Sequence, residues 1–444
     1  MFRHAGENGA RIFDAVQVKS IVFEDETQVP EGEPNLAPGR PVAATYLIKE
    51  TKETGQIAFD YVIDASGRIG ILSTKYMKNR RYNQGLKNVA NWGYWKGCGK
   101  YAPGTTRENS PFFEALFKID ESGWAWFIPL HDGTNSVGIV INQKLATQKK
   151  QELGLDSAAF YHESLKLAPS VLALIGEGKF TTNVKSASDY SYSASSYAFP
   201  NARIVGDAGA FIDPYFSSGV HLALTSGLSA ATTICASIRG DCDEATAADW
   251  HSSKFADAYT RFLLVVLSAY KQIRHQEDPV LSDFDEDNFD RAFAFFRPII
   301  QGTADAHNNK LSQDELNKTL EFCAYAFEPV TTSDEDREKA MDAAMKEAAD
   351  GTGYHPDLSP EQLKAVKHIR ARKMMRTEDT INMNSFGTDA IAGYVPNVVK
   401  GALGLKKQVA VVNANAVPMP PATVDLRLWL LLYDDDENVD LLHS

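Results

Sequence analysis

Ser217-Ser218-Gly219 opens a run of small and apolar residues, and Asp213-Pro-Tyr-Phe216 and Gly206-Asp207 stand directly ahead of it. The order reads as a short buried strand (Ile204, Val205), a Gly-Asp break, a tight proline turn and a helix start at Ser218. The first N–H groups of a helix lack intrahelical acceptors, and the macrodipole is positive there. Such an end binds an anion without a charged side chain, and small residues let a ligand reach the backbone. One carboxylate at the strand end, Asp207, beside a bare helix start suits a polyol carried on an electron-rich ring, which is the description of a flavin. Taken alone, Gly206-Asp-Ala-Gly209 is equally a plain strand-to-helix turn, because Gly and Asp are turn residues. The whole ordered run is what points to a cofactor.

Other chemistry finds little support. Cys98, Cys235, Cys242 and Cys323 form no Cys-x-x-Cys pair and no cluster of zinc spacing, so reduced thiols are expected and no metal site. His251, His275 and His307 show no ligand spacing, and His221 on the helix is expected to pack or hydrogen-bond. Asp213 is expected to orient its turn, and the charge run Asp283, Asp285, Glu286 and Asp287 to be solvated. A net charge of −13 with no basic cluster argues against nucleic acid and anionic membranes as partners. The N-terminus has no apolar signal core, and the apolar runs at Phe262–Leu267 and Leu428–Leu432 are too short for a bilayer. A soluble, cytoplasmic protein is expected.

The elements that must position these residues can be read in outline. Residues 1–25 read as a helix end running into a strand; Glu31–Pro41 reads as an exposed excursion. Val42–Ile48 and Gln56–Ile63 read as strands, the second ending in Asp64-Ala-Ser-Gly67-Arg68. Aromatic and β-branched residues dominate 88–145, with Val137–Ile141 as a central strand, which predicts an antiparallel sheet with one wall given to a ligand or a helical layer. Helical spacing follows from Gln148 to about Gly176, again over 218–239 with Gly240 as C-cap, and over most of 246–347 and 360–375.

Trp124-Ala-Trp126-Phe-Ile128-Pro129 fits a W-x-W-x-I-P pattern. Asn88–Trp95 precedes it, and Asp64–Arg68, Gly206-Asp207 and Asp213–Gly219 complete an ordered set. This set resembles the flavin-dependent halogenases, and among them the fungal, basidiomycete-like enzymes that act on phenolic substrates. The resemblance covers most of residues 1–300. Alternate aromatics on a strand are also what one packed face of a sheet requires. The resemblance implies an α/β fold: a truncated FAD-binding, glutathione-reductase-like Rossmann-type domain with an antiparallel substrate sheet and a helical C-terminal region. It divides the chain into a core at 1–245, with FAD-binding parts 1–75 and 185–245 around a substrate sheet 76–184. A helical substrate cover at 246–405 with an acidic insertion 330–360, and a tail 406–444, follow.

The resemblance also implies FAD, used as FADH2 and delivered by a separate flavin reductase, with chloride as co-substrate and a small aromatic acceptor. By it, Ser218 and Gly219 hold the halide, Gly206, Asp207, Pro214 and Val220 line the cofactor, and hypohalous acid moves through a short tunnel to the acceptor. Tryptophan halogenases carry a glutamate where this chain has Phe216, which favours phenols over indoles, since a hydroxyl already donates electrons to the ring. The family's Gly-x-Gly-x-x-Gly loop is missing: Gly97-Cys-Gly99, Gly176-Glu-Gly178 and Gly351-Thr-Gly353 lack the third glycine and the preceding strand. No lysine takes the family's catalytic role by motif, so the resemblance enters after the first strand–helix unit. A flavin hydroxylase or reductase, and a catalytically impaired halogenase, are the alternative readings.

Overall fold

The structure, a computed structural model, describes residues 1–24, 38–116, 123–274 and 390–408, with isolated positions between 339 and 366. Pro279, Pro298, Pro329, the charge run at Asp283, His275, His307, Cys323, Gly351–Gly353, most of the acidic insertion and residues 409–444 lie outside the described residues.

Elements are numbered in chain order. A short helix α1 (Phe2–Glu7) leads into an antiparallel sheet of β1 (Val16–Phe23), β2 (Pro41–Ile48) and β3 (Thr54–Ala58). The strand expected over Gln56–Ile63 is in fact two. Phe59 N donates to Val42 O and ends β3; Asp60-Tyr61 then turns the chain, and Val62 N donates to Asn201 O. The residues beyond, β4 (Val62–Asp64), run parallel to β14 (Ala202–Ile204), which also pairs with β13 (Ala198–Phe199). Asp64 thereby lies opposite Ile204, so two motifs about 140 residues apart meet at adjacent strand ends. Among the described residues β4 has no second strand partner. A hollow of about 570 Å3 opens on that side, lined by Val18, Ile21, Ile63, Asp64, Ile69 and Leu72 among others.

After a two-stranded pairing of β5 (Arg80–Tyr82) with β12 (Tyr192–Ala194) comes the main sheet. It contains β6 (Asn88–Lys96), β7 (Phe112–Ala115), β8 (Gly123–Pro129), β9 (Thr134–Asn142), β10 (Lys179–Phe180) and β11 (Lys185–Ser188). The order is β10-β6-β9-β8-β7, with β11 also on β6, and every pairing is antiparallel. Strand β9 is central, as its apolar run predicts. On one face Ala125, Phe127, Val137, Ile139 and Ile141 pack under α2 (Gln143–Leu153), α3 (Ser157–Ser164) and α4 (Pro169–Ile175). Each fully buried aliphatic side chain there contributes about 1.5–3 kcal/mol. The single helical stretch expected from Gln148 to Gly176 is broken into three because Gly154 closes α2 at φ 63°, Asp156 caps α3 and Pro169 starts α4.

The opposite face carries Trp92, Trp124 and Trp126 towards α6 (Glu244–Arg274), with Phe255, Phe262 and Tyr270 in the same cluster. Helix α5 (Gly219–Arg239) packs against α6 and ends at Gly240. It is the one described helix long and apolar enough to cross a membrane, although Leu222, Ser226, Ser229, Ala230, Thr232, Thr233 and Ala236 are buried against the protein. The reading that the apolar runs are too short for a bilayer, made on Phe262–Leu267 and on Leu428–Leu432 outside the described residues, did not take this helix into account. A helical region to residue 405 is also corrected: β15 (Tyr394–Asn397) and β16 (Gly404–Lys407) form a hairpin, held by Trp250 Nε1 donating to Tyr394 O. Gly401 at φ 82° makes the turn possible.

Three side-chain anchors fix the short strand β14 to both long helices. Arg203 is fully buried; its guanidinium donates to Thr233 Oγ1 at 3.0 Å on α5 and to Glu244 Oε1 at 2.8 Å on α6. His251, also fully buried, bridges Ser229 Oγ at 2.9 Å and the Ile204 carbonyl at 3.0 Å. Burial drives its pKa down to about 3, the Ile204 hydrogen bond opposing, so the ring is neutral and donates to one partner while accepting from the other. Gly206 N donates to Ser226 Oγ at 2.9 Å.

Candidate functional site

The chain leaves β14 through a single 3-10 turn, Gly206–Ala208. Gly206 has φ 55°, and a Cβ there would stand 3.1 Å from the Ala223 Cβ, so glycine is required for strand end and helix to approach. Asp207 is half-buried; burial raises its carboxyl pKa while Arg68 opposes, and its backbone carbonyl accepts from Tyr192 OH at 2.6 Å. Asp64, across the parallel pair, accepts from Ser66 N at 2.9 Å and Leu72 N at 2.7 Å, which shapes the Ser66–Leu72 loop.

A second 3-10 turn, Pro214–Phe216, follows, with Asp213 Oδ1 accepting from Tyr215 N at 3.2 Å. Ser217 adopts φ 54°, and Ser218 caps α5. The Ser218 hydroxyl is buried and has no hydrogen-bond partner among the described residues. An unpaired buried hydroxyl costs about 1–3 kcal/mol. Beside it Gly219 opens α5 with nothing among the described residues within 4 Å of where a Cβ would stand, and no acidic residue occupies the first turn. Val220, next in the chain, is 74% exposed, an apolar side chain with open space before it. His221 lies beside Phe262 at 5.6 Å between centroids, the packing role expected of it.

The sheet supplies an aromatic wall. Trp124 meets Tyr215 edge-on at 5.1 Å and Phe113 at 5.8 Å, and Tyr215 meets Phe216 at 4.9 Å. Trp126 lies 5.6 Å from Trp124 and 6.4 Å from Trp92. Gly138 stands between Trp92 and Trp126 in the strand register, and a Cβ on it would fall 2.2 Å from the Trp126 ring. The alternation of β8 therefore serves one packed face and also sets Trp124 against the Pro214–Gly219 turn, with Trp126 behind it. Ile128 and Pro129 complete that strand opposite Ser136 and Asn135.

Reading by motif includes Asn88 in the strand ahead of the tryptophans but misses its role, and misses Tyr270 altogether. Asn88 Nδ2 donates to Asp213 Oδ2 at 3.1 Å and to Tyr270 OH at 2.8 Å. Tyr270 OH donates to Asp213 Oδ2 at 2.8 Å and accepts from Trp124 Nε1 at 2.8 Å. Burial pushes the Asp213 carboxyl up to about 6, with the Tyr270, Asn88 and Tyr215 hydrogen bonds opposing. Tyr270 follows Phe262 and Val266 at four-residue spacing, which reads as core; nothing in that period marks a hydroxyl aimed at a carboxylate.

The tryptophan halogenase family model matches residues 46–322. Over 412 residues the chain is 79% identical to the flavin-dependent halogenase ascD of Acremonium egyptiacum, an alignment covering 92% of this chain and 74% of that protein. The sulochrin halogenase gedL of Aspergillus terreus is 45% identical over 413 residues, with 92% and 74% covered. Among solved structures, the flavin-dependent brominase Bmp2 superimposes with a TM-score of 0.53 at 20% identity, covering 68% of this chain and 73% of that one, which shows the shared fold. These matches define a flavoprotein of the halogenating class with an α/β fold. The chain belongs to the tryptophan halogenase family, whose members use FAD and a halide to halogenate small aromatic molecules.

Proposed function

We propose that this chain, supplied with FADH2 by a separate flavin reductase, chlorinates a phenolic natural-product intermediate in the cytoplasm. The observation that carries the reading is the buried Ser218 hydroxyl, unpartnered among the described residues, at the start of a 21-residue helix whose first turn holds no acid. A halide there accepts from that hydroxyl and from the backbone N–H groups of Ser218 and Gly219.

The residues fit the ring end of a flavin. Open space before Gly219 and an exposed apolar Val220 suit a flat ring, and in this reading Gly206, Asp207 and Pro214 would line the cofactor beside it. Bound reduced FAD, with oxygen, supplies the oxidising power that turns halide into an electrophilic halogen. The chain's own part is to hold the halide by neutral donors and to narrow the site with Trp124, Trp126 and Tyr215, which excludes water. Phe216 leaves an apolar wall where a carboxylate would stabilise a cationic ring, which favours an acceptor whose own hydroxyl donates electrons. The sulochrin halogenase relative supports that acceptor class.

The pyrophosphate end has no glycine-rich loop among these 444 residues. Weak FAD binding and slow turnover by the chain as it stands are expected; a fluorescence titration showing tight, stoichiometric binding would refute this. Function itself is tested by product analysis with a flavin reductase, NADH, oxygen and a panel of phenols and indoles, in the presence of chloride, bromide or neither. Chlorinated phenol is expected. Oxygenated product formed regardless of halide would assign a hydroxylase instead.

A further inference from the structure

Four polar side chains from four separate elements converge beneath the proposed halide turn. Asn88 begins β6, Trp124 lies on β8, Tyr270 is in the last turns of α6, and Asp213 opens the turn that ends at Ser218. Asp213 is fully buried, and its two oxygens are used separately. Oδ1 takes the Tyr215 amide and so shapes the turn, while Oδ2 takes Tyr270 and Asn88 and so fixes the turn to the sheet and the long helix.

From this geometry we infer that Tyr270 is a positioning residue for halide binding, acting through Asp213 on the Ser218-Gly219 helix start and through the Trp124 indole on the aromatic wall. The inference rests on the halide reading above. Its physical basis is the count of donors and acceptors. The Tyr270 oxygen accepts from Trp124 Nε1 and Asn88 Nδ2 and gives its one proton to Asp213, so removing it takes away the indole's acceptor at 2.8 Å and the shortest side-chain donor to a buried carboxylate. A hydrogen bond to a charged group is among the stronger ones. A short turn whose capping carboxylate is loosened shifts its last residues, which are the proposed donors.

Tyr161 provides a matched control on the other face of the same sheet. Its hydroxyl accepts from Trp95 Nε1 at 3.0 Å and donates to Val137 O at 3.0 Å, with no link to Asp213. The test compares the full-length chain with its Tyr270→Phe and Tyr161→Phe variants, each in excess FAD. Chloride affinity is read from chloride NMR line broadening, FAD affinity from flavin fluorescence, and indole hydrogen bonding from near-ultraviolet circular dichroism. Tyr270→Phe is expected to weaken chloride binding about tenfold and to alter the tryptophan bands, with FAD affinity within about twofold of the parent. Tyr161→Phe should leave chloride binding unchanged.

Unchanged chloride affinity in Tyr270→Phe, or equal weakening in both variants, overturns the inference. Should Tyr270→Phe fail to fold, Asn88→Ala removes another Asp213 donor and is held to the same outcomes. A parent chain with no saturable chloride broadening overturns the halide reading as well, so the two failures are distinguishable.

Discussion

Replacement of Gly219 by isoleucine is expected to leave the fold intact and to lower halogenation by about two to three orders of magnitude, the scale seen when a positioned anion donor is lost. The first half follows from space: no described residue lies within 4 Å of a Cβ at this position, and the backbone there is not in the left-handed region. Glycine is also a poorer helix residue than any ordinary side chain by some tenths of a kcal/mol, so the variant is expected to be no less stable. The second half follows from what that space is proposed to hold. A branched side chain fills the approach to the Ser218 hydroxyl and the first amides of α5, and halide and flavin ring both lose their place. Gly227→Ile on the same helix is the control, since that glycine also faces open space but lies two turns away. Thermal midpoints and product yields are the measurements. Full activity in Gly219→Ile would remove Ser218 and Gly219 from the halide role.

The second large effect concerns stability and is asymmetric. Glu244→Ala is expected to destabilise the chain by about 3–5 kcal/mol, because it strands a guanidinium in the interior. Arg203→Met should cost clearly less. The side chain of Arg203 is 0% exposed whereas that of Glu244 is 20% exposed, so a carboxylate left alone can reach water and a methionine fills the vacated volume. The order of the two variants in urea unfolding decides the matter. Equal losses would mean that the pair acts through packing and the Thr233 and Ala202 hydrogen bonds, which remain when Glu244 is truncated.

What could be read from the sequence was whatever carries a period or a local signal. Helix α5 was expected at 218–239 and is found at Gly219–Arg239, because small residues at helical spacing and Gly240 mark both its face and its end. The central strand and the sharing of one sheet face by Trp124 and Trp126 follow from alternation. The division of Gln56–Ile63 between two sheets was not readable, since its apolar residues satisfy either pairing and the decision lies with Asn201 and Val62, far apart in sequence. The hairpin at Tyr394–Lys407 was hidden for the same reason: its anchor is Trp250, well over a hundred residues earlier. Within the site, the turn and its helix start were legible as a local run. Asn88 and Tyr270 were not, because a hydroxyl or an amide on an apolar face gives no sign of its partner until the fold brings Asp213 to it.

The glycine between Trp92 and Trp126 has a consequence for observation. Two indoles 6.4 Å apart across a residue with no side chain are close enough for their excited states to couple, and a third, Trp124, stands 5.6 Å from Trp126. The protein thus carries its own optical gauge in the sheet face that packs beside the Pro214–Gly219 turn. A ligand that tilts one ring should rewrite the near-ultraviolet dichroism of the set, so occupancy can be followed in the native chain without a label.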